Sequence, residues 1–241
     1  MKHIGVWAGL IIVGGLLAGC RASQFEQLTP NEIISRSADR MASLAGFEFV
    51  IERSGEPVFL DYEGTISFRR AEGKFISPDR VYTRVRVIMP GLVTEVQIIS
   101  VEGIQWETNL LTGEWQASDP RYSFNPSLLF SSETGIPAIL AHELTDPILL
   151  DDIEEIPEVP GKKLYALETV MQGDSAYQMT FGMIDNEPLR VKLWVDPITF
   201  DLFRVLLVDP ANPGDEEDTA WQIDFWNFGS EFEIEPPILN N

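Results

Sequence analysis

Between Phe47 and Trp115, apolar or β-branched side chains recur at every second residue: Phe47, Phe49 and Ile51, then Val81, Thr83, Val85, Val87 and Met89, then Val96 and Ile98. A period of two puts successive side chains on opposite faces of a strand, so the stretch predicts β-structure with one face buried. Turn chemistry at Ser54-Gly55-Glu56-Pro57, Ser77-Pro78-Asp79, Met89-Pro90-Gly91, Glu102-Gly103 and Leu111-Thr112-Gly113-Glu114 cuts it into consecutive strands. Connections this short join antiparallel neighbours, and a meander is the simplest topology. The alternation resumes at residues 164–171, 189–195, 202–208 and 221–228. There Trp221-Gln222-Ile223-Asp224-Phe225-Trp226 carries bulk on both faces, which predicts a sheet covered on both sides.

Helical signals flank and interrupt the strands. Thr29-Pro30-Asn31-Glu32 combines an N-cap, a proline at N1 and the glutamate of a capping box, predicting a helix over 30–45 with Gly46 as its stop. Its apolar side is Ile34, Ala38, Met41 and Ala45, flanked by Ile33 and Leu44. Asn125-Pro126 and Gly135-Ile136-Pro137 each open a short helix, the first carrying Leu128, Leu129 and Phe130, the second Ile136, Ile139, Leu140 and Leu144. The acidic run Asp151, Asp152, Glu154, Glu155 and Glu158 before Pro160-Gly161 is expected to be an exposed connection.

Ahead of these elements stand Lys2, His3, an apolar run over residues 4–17 and Leu17-Ala18-Gly19-Cys20. A charged start, a short apolar region and a small-residue cleavage site form a secretory signal, and Cys20 at that site makes it a lipoprotein signal. The run is shorter than the roughly 20 residues a spanning helix needs. The expected organisation is a signal over 1–19, a lipidated tether over 20–29 beginning at Cys20, and one domain over 30–241, outside the cytoplasm and held on the membrane by acyl chains. Cys20 is the only cysteine, so the exported body must be held by its core and not by disulfides.

The formal charge is −21, and loss of Lys2 with the signal makes it one more negative. Nucleic acid is excluded as a partner, because binding it needs cationic neutralisation of phosphates. After residue 19 the only histidine is His142, and His142-Glu143 lacks a second histidine at position 146, which is Asp146. No Gly-x-Ser-x-Gly elbow or phosphate loop is present, so neither a catalytic group, a cofactor nor a metal site is expected. Asp215-Glu216-Glu217-Asp218 and the run from Asp151 lack EF-hand spacing and read as solvated loops. Trp106, Trp115, Trp194, Trp221 and Trp226 fall on alternating strands, where core packing is expected before sugar stacking.

The order of segments resembles a known family. Met41-Ala42-Ser43-Leu44-Ala45-Gly46-Phe47, Gly73-Lys74-Phe75-Ile76-Ser77-Pro78-Asp79-Arg80-Val81 and Thr112-Gly113-Glu114-Trp115 look like segments of the LppX/LprAFG lipoproteins, relatives of the LolA/LolB fold. So do Asn125-Pro126-Ser127-Leu128-Leu129, Gly135-Ile136-Pro137-Ala138-Ile139-Leu140 and Leu193-Trp194-Val195-Asp196-Pro197-Ile198-Thr199. The resemblance implies an α+β fold, a large curved antiparallel sheet like an unclosed half-barrel with helices packed on its concave face. It implies an apolar cavity that binds lipid or acylated molecules and carries them within the envelope, without catalysis and with an envelope transporter or lipoprotein as possible partner. The cavity is assigned to apolar residues of the helices and facing strands: Ile34, Met41, Val85, Val87, Leu128, Leu129, Ile136, Ile139 and Leu140. The competing reading is a protein-interaction or sensor module on the same fold, with a solid core or a shallow groove; a hydrolase using His142 comes third.

Overall fold

In the computed structural model the Thr29 hydroxyl accepts the Glu32 backbone N–H, and the Glu32 carboxylate accepts the Thr29 N–H at 2.8 Å, so the capping box starts α1 (Pro30–Ser43). The structure describes residues 28–61, 63–119, 123–150, 154–180, 182–211 and 217–239; the signal, Cys20 and nearly all of the tether lie outside them. The helix is shorter than expected. Leu44 is already extended, Ala45 is exposed, and Gly46 opens a strand instead of stopping a helix. A Cβ on Gly46 would stand 2.7 Å from the carbonyl oxygens of both Phe75 and Ser230, so two neighbouring backbones require the glycine.

Six strands follow in sequence order, β1 (Gly46–Ser54), β2 (Ser67–Ile76), β3 (Arg80–Met89), β4 (Leu92–Val101), β5 (Ile104–Thr108) and β6 (Trp115–Ala117), each paired antiparallel with the next. A 3-10 helix (Pro126–Phe130) and α2 (Ile136–His142) then lead to β7 (Leu144–Leu149), β8 (Tyr165–Met171), α3 (Gly173–Met179), β9 (Leu189–Val195), β10 (Leu202–Asp209) and β11 (Thr219–Trp226). Strands β7 to β11 form a second meander, joined to the first where β1 pairs with β11, in the order β6-β5-β4-β3-β2-β1-β11-β10-β9-β8-β7. The result is one unclosed, curved antiparallel sheet with the helices on its concave face.

This topology explains the helical layer. Strands β6 and β7 are opposite edges, so the chain between them must cross the whole sheet, and the 3-10 helix and α2 lie on that crossing. The crossing segments pack with α1 over inward side chains such as Phe47, Phe49, Phe75, Ile223 and Phe225. Arg40 of α1 donates to Asp201 at 2.7 Å, and Arg36 lies 5.1 Å over the Phe200 ring, fixing the helix to the β9–β10 connection.

The convex face is covered as well. Ile156 inserts among Leu164, Ala166, Trp194 and Phe203, so residues 154–159 form a strap over the sheet; Glu155 and Glu158 are exposed on it, as expected of the acidic run, while Glu154 is half-buried and Asp151 and Asp152 lie outside the described residues. The C-terminal segment sets Ile234 against Ile99 and Val101 over the first meander. Two elements depart from expectation. Leu144 belongs to β7 and not to a helix; its strand is disguised by Asp146 at φ 50° and an irregularity between Thr145 and Ile148. Helix α3 is mostly polar, burying Gly173 and Ala176 and packing Met179 partly against the core, so it has almost no apolar period to read.

Candidate functional site

Between the helices and the concave face lies a continuous apolar layer. Helix α1 supplies Ile33, Ile34, Ala38 and Met41, the 3-10 helix Leu129 and Phe130, and α2 Ile136, Ile139 and Leu140. Opposite them stand aromatic residues of the central strands. The Phe130 ring centroid is 5.2 Å from Phe47, 4.6 Å from Phe49, 5.2 Å from Phe75 and 6.3 Å from Phe225. Gly73 makes room for this set: a Cβ there would lie 2.2 Å from the Tyr82 carbonyl oxygen and 3.0 Å from the Phe49 ring.

Of the residues assigned to a cavity from sequence, Ile34, Met41, Leu129, Ile136, Ile139 and Leu140 are brought together in this layer. Val85 is partly buried against it, and Val87 is buried two residues further along β3. Leu128 is 43% exposed and outside it. The 3-10 helix repeats every three residues, so Pro126, Ser127, Leu129 and Phe130 fill two ridges that face inward while Leu128 is left on the third. The same geometry turns Phe130 inward among the phenylalanines of β1, β2 and β11. Sequence reasoning passed over it, although the phenylalanines at alternate positions of β1 signal where it would pack.

Two polar atoms interrupt the layer. Ser37 on the buried side of α1 is 1% exposed and Trp221 of β11 is 5% exposed, and among the described residues neither Ser37 Oγ nor Trp221 Nε1 has a hydrogen-bond partner. An unpaired buried donor costs about 1–3 kcal/mol, so each is a site where a ligand oxygen would be favoured.

These features match one known group of proteins over residues 29–234, the LppX_LprAFG lipoprotein model. The chain belongs to the LppX/LprAFG lipoprotein family. LprF from Mycobacterium bovis has a similar fold, with a TM-score of 0.64 at 12% identity over 86% of this chain and 96% of that one. Mycobacterium tuberculosis lipoprotein LppX gives 0.59 at 10% identity over 86% and 98%. Among curated proteins none matches.

In this LppX/LprAFG protein one group of perturbed charges lies under the strap on the convex side. Burial raises the Glu154 carboxyl, but hydrogen bonds from Lys192 Nζ and Trp194 Nε1, both at 2.8 Å, outweigh it and hold the pKa below the ordinary glutamate value. Glu158 is shifted the same way, burial opposing and Arg204 prevailing at 2.6 Å. Arg204 is itself buried and forked onto Asp224, which keeps it charged. A concavity of about 130 Å³ lies beneath this strap, between Ile156, Val159, Val50 and Trp226. An open depression of about 400 Å³ lies beside Lys162, Lys163 and Ile198. Neither includes a residue of the predicted cavity set. Among the described residues no three His, Cys, Asp or Glu side chains gather as a metal site, and no helix is long and apolar enough to cross a membrane.

Proposed function

We propose that this lipoprotein is held on the outer side of a membrane by acylated Cys20, after removal of residues 1–19, and that it binds acyl chains between its helices and the concave sheet. The observation that carries the reading is the apolar layer itself, interrupted by the unpaired Ser37 and Trp221 donors. Acyl methylenes entering such a layer keep about 0.8 kcal/mol each of the stabilisation they have in the bilayer, so a chain can leave the membrane at little cost. Ester or headgroup oxygens would accept from Ser37 and Trp221. Binding and release need no bond to be made or broken, so the protein acts as a carrier or presenter of lipid in the envelope, without catalysis.

Uptake of a fluorescent fatty acid tests this. Ile139→Asp is expected to lower uptake at least tenfold, and Ser37→Ala, which leaves the packing in place, is expected to weaken binding of esterified lipid by severalfold more than free fatty acid. Unchanged uptake in a folded Ile139→Asp protein would overturn the site. Capture of a stable envelope protein together with refusal of every lipid offered would move the assignment to an interaction module.

A further inference from the structure

The β3–β4 hairpin ends in six consecutive residues without charge, Ile88-Met89-Pro90-Gly91-Leu92-Val93, and we infer that this tip inserts into the surface of the lipid bilayer that holds the anchor. Strand pairing runs out to Met89 opposite Leu92, leaving Pro90-Gly91 as a two-residue turn with Gly91 at φ 77°. Strand β5 pairs with β4 only from Ile98 to Val101, so the distal half of the hairpin extends past its outer neighbour. Ile88, Leu92 and Val93 are 41%, 46% and 60% exposed. Phe59, at 48%, bridges to Ser67, which pairs with Ile88, and Leu60 follows at 44%, so the apolar surface continues onto the next loop. A cluster of this kind on one rim marks an interaction surface.

Charge selects lipid as the occupant. The chain carries 38 acidic against 17 basic residues, yet residues 80–94 contain Arg80, Arg84 and Arg86 and no carboxylate. Behind the tip the charges are paired, Arg70 with Glu52 and Glu72, Arg84 with Glu72 and Arg86 with Glu95, and exposed Arg69 adds a further cation. Elsewhere the acidic body is repelled by anionic headgroups; here an uncharged apolar tip is backed by carboxylates that are paired with guanidiniums, so it is repelled least. The anchor also keeps a bilayer near the folded body. The eight steps along the chain from Cys20 to Leu28 extend less than about 30 Å, which keeps the body close to the bilayer. The contact rests on the anchored-carrier reading and adds to it a means of setting the sheet's rim against the leaflet.

The test uses the acylated full chain in phosphatidylcholine vesicles with brominated acyl chains. With Cys20 acylated, Val93→Cys supplies a single thiol for an environment-sensitive dye, and Ile198→Cys, at a site 77% exposed on the β9–β10 connection, supplies the comparison. Dye at position 93 is expected to shift to the blue and to be quenched at least threefold more than dye at position 198. Equal, water-like emission at both positions in a protein that floats with the vesicles would overturn the hairpin contact alone. Failure to float would overturn the anchor and the contact with it. Quenching at 93 that requires native membrane proteins would overturn it in favour of a protein partner. Leu92→Cys repeats the test should the first variant melt below the parent.

Discussion

Replacing Phe130 with alanine removes the ring on which the helical layer closes. The side chain is 4% exposed and meets four other phenylalanine rings at centroid distances of 4.6 to 6.3 Å. Burial of a phenylalanine and the void left by its loss together make Phe→Ala cost about 3–5 kcal/mol, and the edge-on and tilted ring contacts place this site in the upper part of that range. For a domain of this size each kcal/mol lowers Tm by about 2–4 °C, so the expected drop is roughly 8–20 °C. The variant also opens space between the 3-10 helix and the strands. Melting is therefore followed by near-ultraviolet circular dichroism with and without a long-chain fatty acid. Ligand is expected to raise the Tm of Phe130→Ala by more than it raises that of the parent, because any species bound by the folded state alone stabilises it through mass action. A loss below about 1 kcal/mol would refute the packing argument. A large loss with no additional rescue by the acyl ligand would refute the claim that this layer is where acyl chains go.

Further outcomes follow from the convex face and the central strands. Arg204→Met strands the buried Asp224 carboxylate and is expected to cost about 3–5 kcal/mol in urea unfolding, while Arg204→Met with Asp224→Leu recovers most of it; equal losses in the single and double variants would refute a buried pair. Because Glu154 and Glu158 titrate below their ordinary value, the stability they lend is present above about pH 4.3 and is lost as the pH falls through their lowered values. Trp194 fluorescence should report this release of the strap in acid, and Glu154→Gln should abolish the transition there. Gly73→Ala is expected to lower Tm by several degrees, since its Cβ would meet the Tyr82 carbonyl oxygen at 2.2 Å; an unchanged melt would show that β3 shifts freely.

What the sequence discloses here is what is local. Period-two patterns mark the strands of both meanders, turns such as Pro90-Gly91, Glu102-Gly103 and Thr112-Gly113 separate those of the first, and the capping box marks the start of α1, because each is decided within a few residues. The pairing of Phe49 with Phe225, which joins the two meanders into one sheet, is a contact between distant segments that no local pattern announces. Leu128 cannot be told from its neighbours Leu129 and Phe130 by residue type, and only the three-residue repeat of the 3-10 helix turns it outward. The strap was hidden for a different reason: its carboxylates resemble solvated surface until Lys192, Trp194 and Arg204, from strands far along the chain, are placed beneath them. Ile34, Met41, Leu129, Ile136, Ile139 and Leu140 share one layer because amphipathic helices have one face that must be covered.

The central claim is that acyl chains occupy the layer between helices and sheet, and native mass spectrometry with lipid extraction tests it most directly. The protein is taken from its own membrane in the acylated form and in a soluble form lacking Cys20. The account predicts a discrete added mass on the soluble form that extracts as lipid and falls away in Ile139→Asp. A clean protein mass in both forms, unchanged after incubation with lipids, would contradict it.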